Sequence, residues 1–212
     1  MFMQVTDTIR TDIYLMLASL FRAPPSQSQL QFLADLEIED NSSVMSQCWL
    51  ALRHAAQHTD VDSLEEEYQW LFIGIGRGEV VPFASWHLTG SLMEKPLADL
   101  RQHMAQLGLQ RSDSVKEPED HIAALCESMA WLISDMPEQQ GAFFHRHISP
   151  WFNHLARQIE QAEHANFYRA VSQVCKAFLS LESIQMTPAS IASQCNTHVM
   201  HVKNTIEQNV SE

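Results

Sequence analysis

Apolar residues recur at helical spacing along nearly the whole of this chain. In the first segment Val5, Ile9, Ile13, Leu17 and Leu20 follow one another at intervals that place them on one face of a helix. Long β-branched runs are absent. Leu, Ala, Gln, Met and Glu dominate instead, and these side chains lose little rotamer freedom in a helix. The sequence therefore predicts an all-α fold.

Serine, aspartate, glycine and proline residues divide this pattern into further helices. Ser26 is a candidate N-cap for a short helix over 27–36, and Ser42 and Ser43 precede a third helix. Asp62 or Ser63 is expected to cap a fourth, with Glu65 to Glu67 in its first turn. Later helical stretches are predicted at 86–93, 96–107 (followed by Gly108), 118–133, 143–148, 151–162, 167–181 and from Thr187-Pro188 onward.

Composition bounds the class of protein. The 212 residues suffice for one domain, or two small packed ones, with a core that needs no disulfide or metal. The net charge of −13 repels nucleic acid and anionic lipid and attracts a cationic partner, although solubility alone would also explain it. The four cysteines contain no Cys-x-x-Cys pair, and the N-terminal segment is neither a signal peptide nor a membrane span. We expect a cytoplasmic protein.

The most unusual stretch is Glu117-Pro118-Glu119-Asp120-His121, here called the acidic segment. With Pro118 as the first residue of a helix, Glu119 and Asp120 would stabilise its positive end, so a helix start explains the proline and the acids. It does not explain His121, because a protonated imidazole is disfavoured at that end. A neutral imidazole beside carboxylates can instead bind a ligand or position a loop. Both interpretations stay open.

A second irregular stretch, here called the glycine loop, runs from Gly74 to Pro82 and holds Gly76, Arg77 and Gly78. It could expose backbone N–H groups to an anion, but it lacks the Gly-Lys-Ser/Thr ending of a P-loop and follows a helix. A flexible connection is the stronger interpretation. With the aromatic residues around it, the loop could equally shape an apolar groove.

Other chemistry finds little support in the sequence. Eleven histidines occur, and Cys195, His198 and His201 are spaced three apart, but no complete zinc pattern is present. No Gly-x-Ser-x-Gly or His-Glu-x-x-His motif occurs, and Asp120-His121 lacks an evident nucleophile. We predict neither a metal site nor an enzyme. A histidine-rich metal carrier and a nucleotide-binding or nucleotide-hydrolysing protein that uses Gly74 to Glu79 are the alternatives.

The glycine loop and the acidic segment together resemble a known family. The stretch from Tyr68 to Phe83 is similar to the Tyr-x-x-Leu-Phe-x-Gly-x-Gly…Pro stretch of the TorD/DmsD/NarJ redox-enzyme chaperones. Residues 117–121 match that family's Glu-Pro-x-Asp-His signature, and length, acidity and helical pattern agree along nearly the whole chain. The Gly-Arg-Gly-Glu form of the loop most resembles the TorD branch, which serves trimethylamine N-oxide reductase.

The resemblance implies a cytoplasmic chaperone with a helical fold of two packed parts. Such proteins bind the twin-arginine signal peptide and the unfilled core of an exported molybdoenzyme and assist insertion of its molybdenum cofactor. No intrinsic cofactor is implied, only weak binding of GTP or of a molybdenum-cofactor precursor. We expect residues 1–112 and 119–212 to form the two parts, joined by a hinge at 113–118, in a monomer or a domain-swapped homodimer.

Site residues follow from the same resemblance. Glu117, Pro118, Asp120 and His121 are expected to contact the client or to tie the two helical parts together. Plain core packing is the alternative for the aromatic residues, above all for Tyr68 and Phe72. The expected groove and loop residues are Tyr68, Phe72, Gly74, Gly76, Arg77, Pro82, Phe83 and Trp86.

Overall fold

The computed structural model describes residues 2–39, 42–74, 76–112 and 115–187. Within these ranges the chain forms ten α-helices and one π-helical turn and contains no β-strand, which confirms the all-α prediction. The predicted helix after Pro188 lies outside the described residues, as do Cys195, His198 and His201. The helices are α1 (Phe2–Arg22), α2 (Gln27–Ala34), α3 (Val44–Gln57), α4 (Val61–Tyr68), α5 (Ala84–Thr89), α6 (Lys95–Gln106), α7 (Ile122–Asp135), α8 (Gln140–His147), α9 (Phe152–Gln161) and α10 (Phe167–Gln185), with the π-helical turn at Gln69–Ile73.

The core is built around α1, α7 and α10. The later part of the stripe predicted for α1 is buried at Leu17 and Leu20. Ile9, earlier in the same stripe, is 55% exposed, so the prediction that it faces the core is wrong. Helix α7 is apolar on nearly all sides, as expected of a helix enclosed by others, and packs along α1. Helix α10 packs on α3 and α9 and touches α1. Helix α1 precedes residues 113–118 in the chain and α7 follows them, so one hydrophobic core contains helices of both predicted parts. The division of the chain at 113–118 stays a prediction.

The helix ends follow side-chain chemistry, with one correction. Ser26 forms a capping box on α2, as predicted, and Ser43, one of the two serines expected before the third helix, caps α3. Helix α4 instead begins earlier than predicted, because the Asp60 side chain accepts the hydrogen bond from Ser63 N (2.8 Å). The predicted caps Asp62 and Ser63 are therefore wrong, and Glu65 to Glu67 lie beyond the first turn.

A buried carboxylate joins α4 to α10. Glu67 accepts hydrogen bonds from the backbone N–H groups of Asn166 (2.9 Å), Phe167 (3.1 Å) and Tyr168 (2.8 Å). These N–H groups begin α10 and have no partner within their own helix, and the carboxylate also opposes the positive end of the helix dipole. Glu67 therefore fixes the start of α10 from a point about a hundred residues earlier in the chain.

The described residues contain neither a membrane-spanning helix nor a cluster of metal ligands. None of their helices combines the length and the apolar character needed to cross a bilayer. Among the same residues, no three His, Cys, Asp or Glu side chains gather closely enough to hold a metal ion.

Candidate functional site

The acidic segment forms a turn before α7 and does not form its first turn. His121 N donates to Pro118 O (3.2 Å), and the helix begins only at Ile122 with His121 as its N-cap. The prediction that Pro118 starts the helix is wrong because the backbone of His121 is extended and the N–H group of Ile122 donates to Pro82 O. Glu119 and Asp120 therefore precede the helix.

The acidic segment pairs with the end of the glycine loop. Phe83 and His121 form an antiparallel bridge, in which Ala84 N donates to Asp120 O (3.0 Å) and Ile122 N donates to Pro82 O (2.9 Å). Helices α5 and α7 begin directly after these bonds. The two stretches that carried the family resemblance thus meet at one place in the fold.

Asp120 caps the helix that follows the other stretch. Its Oδ2 atom accepts hydrogen bonds from Ser85 N (2.8 Å) and Ser85 Oγ (2.5 Å) at the start of α5. The residue is 1% exposed, and its Oδ1 atom finds no partner among the described residues. A buried carboxylate that accepts two hydrogen bonds at a helix start fixes the relative position of α5 and the acidic segment.

His121 is held as a neutral imidazole. Its Nδ1 atom accepts a hydrogen bond from Ala123 N (3.1 Å), which caps α7 and leaves the ring proton on Nε2. The ring meets Phe83 edge to face with 5.0 Å between centroids. Burial, with a smaller contribution from the positive charge of Arg22, lowers the pKa of His121 to about 3. This agrees with the neutral imidazole inferred from its place at a helix start.

Two glycines of the loop are required by close backbone contact. A Cβ on Gly74 (φ +60°) would lie 2.3 Å from Arg77 O, and one on Gly78 would lie 2.3 Å from Leu71 O. Gly76 (φ +89°) has open space beside it. The loop folds back on the π-helical turn, since Glu79 N donates to Trp70 O (3.2 Å) and Val80 N to Leu71 O (2.8 Å).

The rings of the predicted groove residues contact different partners. Tyr68 is buried and donates its hydroxyl to Arg22 O at the end of α1 (2.9 Å), and its ring contacts Phe72 and Tyr168. These contacts correspond to the core-packing alternative for Tyr68 and Phe72. Phe83 lies instead against His121. Arg77 stacks over the ring of Trp86, with 4.8 Å from its Cζ atom to the ring centroid.

A cleft of about 300 Å³ opens beside the acidic segment and is here called the segment cleft. Apolar side chains from α6, α7 and the connection between them form its floor, and charged side chains form its rim. On the rim Arg22 pairs with Glu127 (2.7 Å) and approaches Glu117 (3.9 Å). The floor comprises Met104, Leu109, Val115, Ala124 and Trp131, and the wall includes Arg111, Glu117, Pro118 and Glu119.

Glu119 is the most constrained of the rim carboxylates. Its Oε2 atom lies 2.8 Å from Nη2 of Arg101, and its Oε1 atom lies 3.7 Å from Nε of Arg111. Partial burial would raise the pKa of Glu119, but the hydrogen bond from Arg101 and the two positive charges outweigh it and lower that pKa. The side chain of Glu117 is half exposed and free to meet a partner on the open side of the cleft.

Comparison with known proteins identifies the family. The family model for the nitrate reductase delta subunit matches residues 38–157, a range that contains both the glycine loop and the acidic segment. The chain belongs to the nitrate reductase delta subunit family. The match confirms the resemblance to the TorD/DmsD/NarJ proteins that the two stretches indicated.

Relatives of this family member include named chaperones. A "Chaperone protein TorD" of Vibrio parahaemolyticus is 27% identical over 82% of this chain and 93% of its own length. A "Probable Tat proofreading chaperone DmsD" of Haemophilus influenzae is 28% identical over 58% of this chain and 59% of its own length. A crystal structure of a redox enzyme maturation protein from Archaeoglobus fulgidus shares the fold, with a TM-score of 0.50 at 18% identity over 82% of this chain and 93% of its own.

Several residues that build this family member's site were missed at the sequence level. Ser85 gives no local signal, because its role depends on a carboxylate that lies 35 residues away. Arg22 and Trp131 belong to α1 and α7 and read as ordinary helix residues, although both line the segment cleft. Gln158, on α9, fixes the loop by accepting a hydrogen bond from Val81 N (3.1 Å). Their roles depend on contacts that only the tertiary fold creates.

Proposed function

We propose that this protein is a cytoplasmic chaperone that binds the twin-arginine signal peptide and the immature form of an exported molybdoenzyme. It holds this client until the molybdenum cofactor is in place and does no covalent chemistry of its own. Trimethylamine N-oxide reductase is the proposed client, because the name TorD recurs among the relatives that span most of this chain.

One observation carries the proposal: the acidic segment forms a wall of the segment cleft, between an apolar floor and a rim of charged side chains that includes the exposed Glu117. A twin-arginine leader has a basic part followed by an apolar part. The apolar part would bury itself against the floor, and the half-exposed Glu117 and the net charge of −13 would attract the basic part. Asp120 and His121 then act from behind the wall, where they fix its position.

The direct test measures binding of a leader peptide from an exported molybdoenzyme by fluorescence anisotropy. Val115→Asp places a charge on the cleft floor and should weaken binding by about tenfold, the cost of losing roughly one buried aliphatic side chain. Ile9→Asp is the matched control, because Ile9 is 55% exposed on α1 and lines no part of the cleft. Equal affinity of the two variants would reject the segment cleft as the binding site.

The nucleotide alternative and a weak affinity for GTP or a cofactor precursor stay predictions. The N–H groups of Gly74, Glu79 and Val80 already donate to carbonyls of the π-helical turn, which leaves fewer of them for a phosphate. Turnover of GTP above background by the purified protein, lost on Gly76→Pro, would favour the nucleotide alternative over the chaperone. The choice between a monomer and a domain-swapped dimer also stays open to measurement.

A further inference from the structure

One guanidinium on the rim of the segment cleft is shared unequally between two carboxylates. Arg22, the last residue of α1, forms a two-pronged pair with Glu127 on α7: its Nη2 atom donates to Oε2 (2.7 Å) and its Nε atom donates to Oε1 (3.2 Å). The Nη1 atom of Arg22 lies 3.9 Å from Oε2 of Glu117, beyond hydrogen-bond distance. Glu117 therefore faces a positive charge without receiving a hydrogen bond from it.

The two carboxylates beside Arg22 carry more charge than it can neutralise. The other two arginines of the rim lie against Glu119, whose side chain is only 13% exposed. The side chains of Glu117 and Glu127 are 50% and 48% exposed, and among the described residues Arg22 is the only basic side chain that pairs with them. This pair of carboxylates therefore keeps an excess of one negative charge at the open side of the cleft.

The contact between Arg22 and Glu127 is easily exchanged. The backbone of Arg22 is fixed, because Tyr68 donates its hydroxyl to Arg22 O (2.9 Å) and Pro24-Pro25 follow. Its side chain instead reaches the surface, where an ion pair contributes little to stability, since water screens it and both side chains lose rotamer freedom. A second guanidinium can therefore replace the first without disturbing the end of α1.

The ligand that suits this place is an arginine side chain next to apolar residues. A carboxylate accepts two parallel N–H bonds from a guanidinium, whereas the ammonium of lysine offers only a point charge. The apolar floor begins directly beside the rim, because Ala124 and Trp131 lie three residues before and four residues after Glu127 on one face of α7. A peptide can thus place an arginine on the rim and its apolar side chains on the floor.

We propose that Glu117 and Glu127 form the arginine-specific part of the segment cleft and that Arg22 occupies it in the unbound protein. The inference rests on the proposed function, because one of the two arginines of the leader supplies the guanidinium that replaces Arg22. In the empty protein Arg22 keeps the two carboxylates from repelling each other. It also acts as a tethered competitor, which only a side chain that binds Glu127 equally well displaces.

Removal of the competitor should tighten binding of a twin-arginine leader, measured by fluorescence anisotropy. Arg22→Met keeps the aliphatic stem without the charge and should lower the Kd about threefold, the equivalent of one exposed ion pair. Arg22→Lys keeps the charge but loses the fork, so its Kd should lie between those of the parent and Arg22→Met. Arg157→Met is the matched control: Arg157 is exposed on α9 outside the cleft, so the same loss of charge should leave the Kd unchanged.

Removal of the Glu127 carboxylate should erase the preference for arginine. The parent should bind the twin-arginine leader about fivefold more tightly than the same leader with two lysines, because only arginine presents a fork to Glu127. Glu127→Gln should bring the two Kd values together. Glu138→Gln, at an exposed position away from the cleft, should keep them apart. Urea unfolding of each variant checks that the protein remains folded.

Failure of this inference can be distinguished from failure of the proposed function. A parent protein that binds neither leader would overturn both. A parent that binds the leader, with a Kd that Arg22→Met leaves unchanged or raises, would overturn the inference alone, since Arg22 would then be a bystander or a direct contact of the leader. Equal affinity of the parent for the two leaders, or an arginine preference that survives Glu127→Gln, would also reject the inference and leave the chaperone function in place.

Discussion

His121 is kept neutral by its own position in the fold. Its Nδ1 atom must accept the hydrogen bond that caps α7, and its ring is enclosed against Phe83, so protonation would break the cap and bury a charge. The folded pKa of about 3 lies below the ordinary value of 6.5. Between these two pH values the unfolded chain binds the proton and the folded chain does not, so stability falls as the pH falls through this window.

Replacement of His121 should therefore change the pH dependence of stability. His121→Asn keeps an acceptor for the Ala123 N–H but cannot titrate. When the pH is lowered from 7 to 5.5, the free energy of unfolding should fall by about 1 kcal/mol less in the variant than in the parent. Urea unfolding at the two pH values measures this difference. His103 and His147, whose pKa values are also lowered by burial, remain in both proteins and set the common background. Parallel pH profiles would show that His121 is not buried in neutral form.

The glycine loop offers a matched pair of substitutions. Gly74→Ala should cost about 2 kcal/mol or more, because its Cβ would strike a backbone oxygen that cannot move freely. Gly76→Ala should cost about 1 kcal/mol, since it meets the strain of a positive φ but no neighbour. Thermal or urea unfolding ranks the two. A reversed order would mean that the loop does not fold back on the π-helical turn.

At the scale of elements, contacts distant in sequence decide where helices begin. Asp60 sets the start of α4 two or three residues before the predicted caps, and the backbone pairing with Pro82 delays α7 until Ile122. Local propensity located both helices, because the apolar spacing that defines them is local. It misplaced their first residues because Asp60 competes with equally good caps and because Pro82, the backbone partner of Ile122, lies about forty positions earlier in the chain.

Replacement of one carboxylate oxygen of Glu67 should weaken the link between α4 and α10. Glu67→Gln removes the negative charge that three backbone N–H groups share and leaves one side-chain oxygen to accept them. We expect a loss of about 2 kcal/mol in the free energy of unfolding. Glu66→Gln, at an exposed neighbouring position, should change it by less than about 0.5 kcal/mol. Similar losses for the two variants would argue against Glu67 as the anchor of α10.

Across the whole molecule, class and family could be predicted and the site only partly. The all-α fold followed from spacing and composition, and the family followed from two short stretches that the structure brings together. The groove expected from Tyr68, Phe72, Phe83 and Trp86 rested on neighbourhood in sequence. Tyr68 and Phe72 turn instead toward the end of α1, because their helical face is the one that meets the core.

The overall charge makes a prediction about rates. If the net charge of −13 attracts the basic part of a leader, raising the salt concentration from about 50 to 500 mM should slow association severalfold. The dissociation rate should change much less. Stopped-flow measurements of a labelled leader separate the two rates. A leader with its two arginines replaced by glutamine is the matched control and should show little salt dependence. An association rate indifferent to salt would remove electrostatic attraction from the proposal.

The bond between Glu67 and the start of α10 bears on how the protein is made. During synthesis Glu67 leaves the ribosome 101 residues before Tyr168, whose amide it must hold. At about 5–20 residues per second this interval lasts roughly 5–20 seconds, during which the amide groups that Glu67 binds in the folded protein have not yet been made. The link between α4 and α10 can therefore form only after most of the chain has been translated. The proposed chaperone thus passes through an incomplete state of its own before it can bind an immature client.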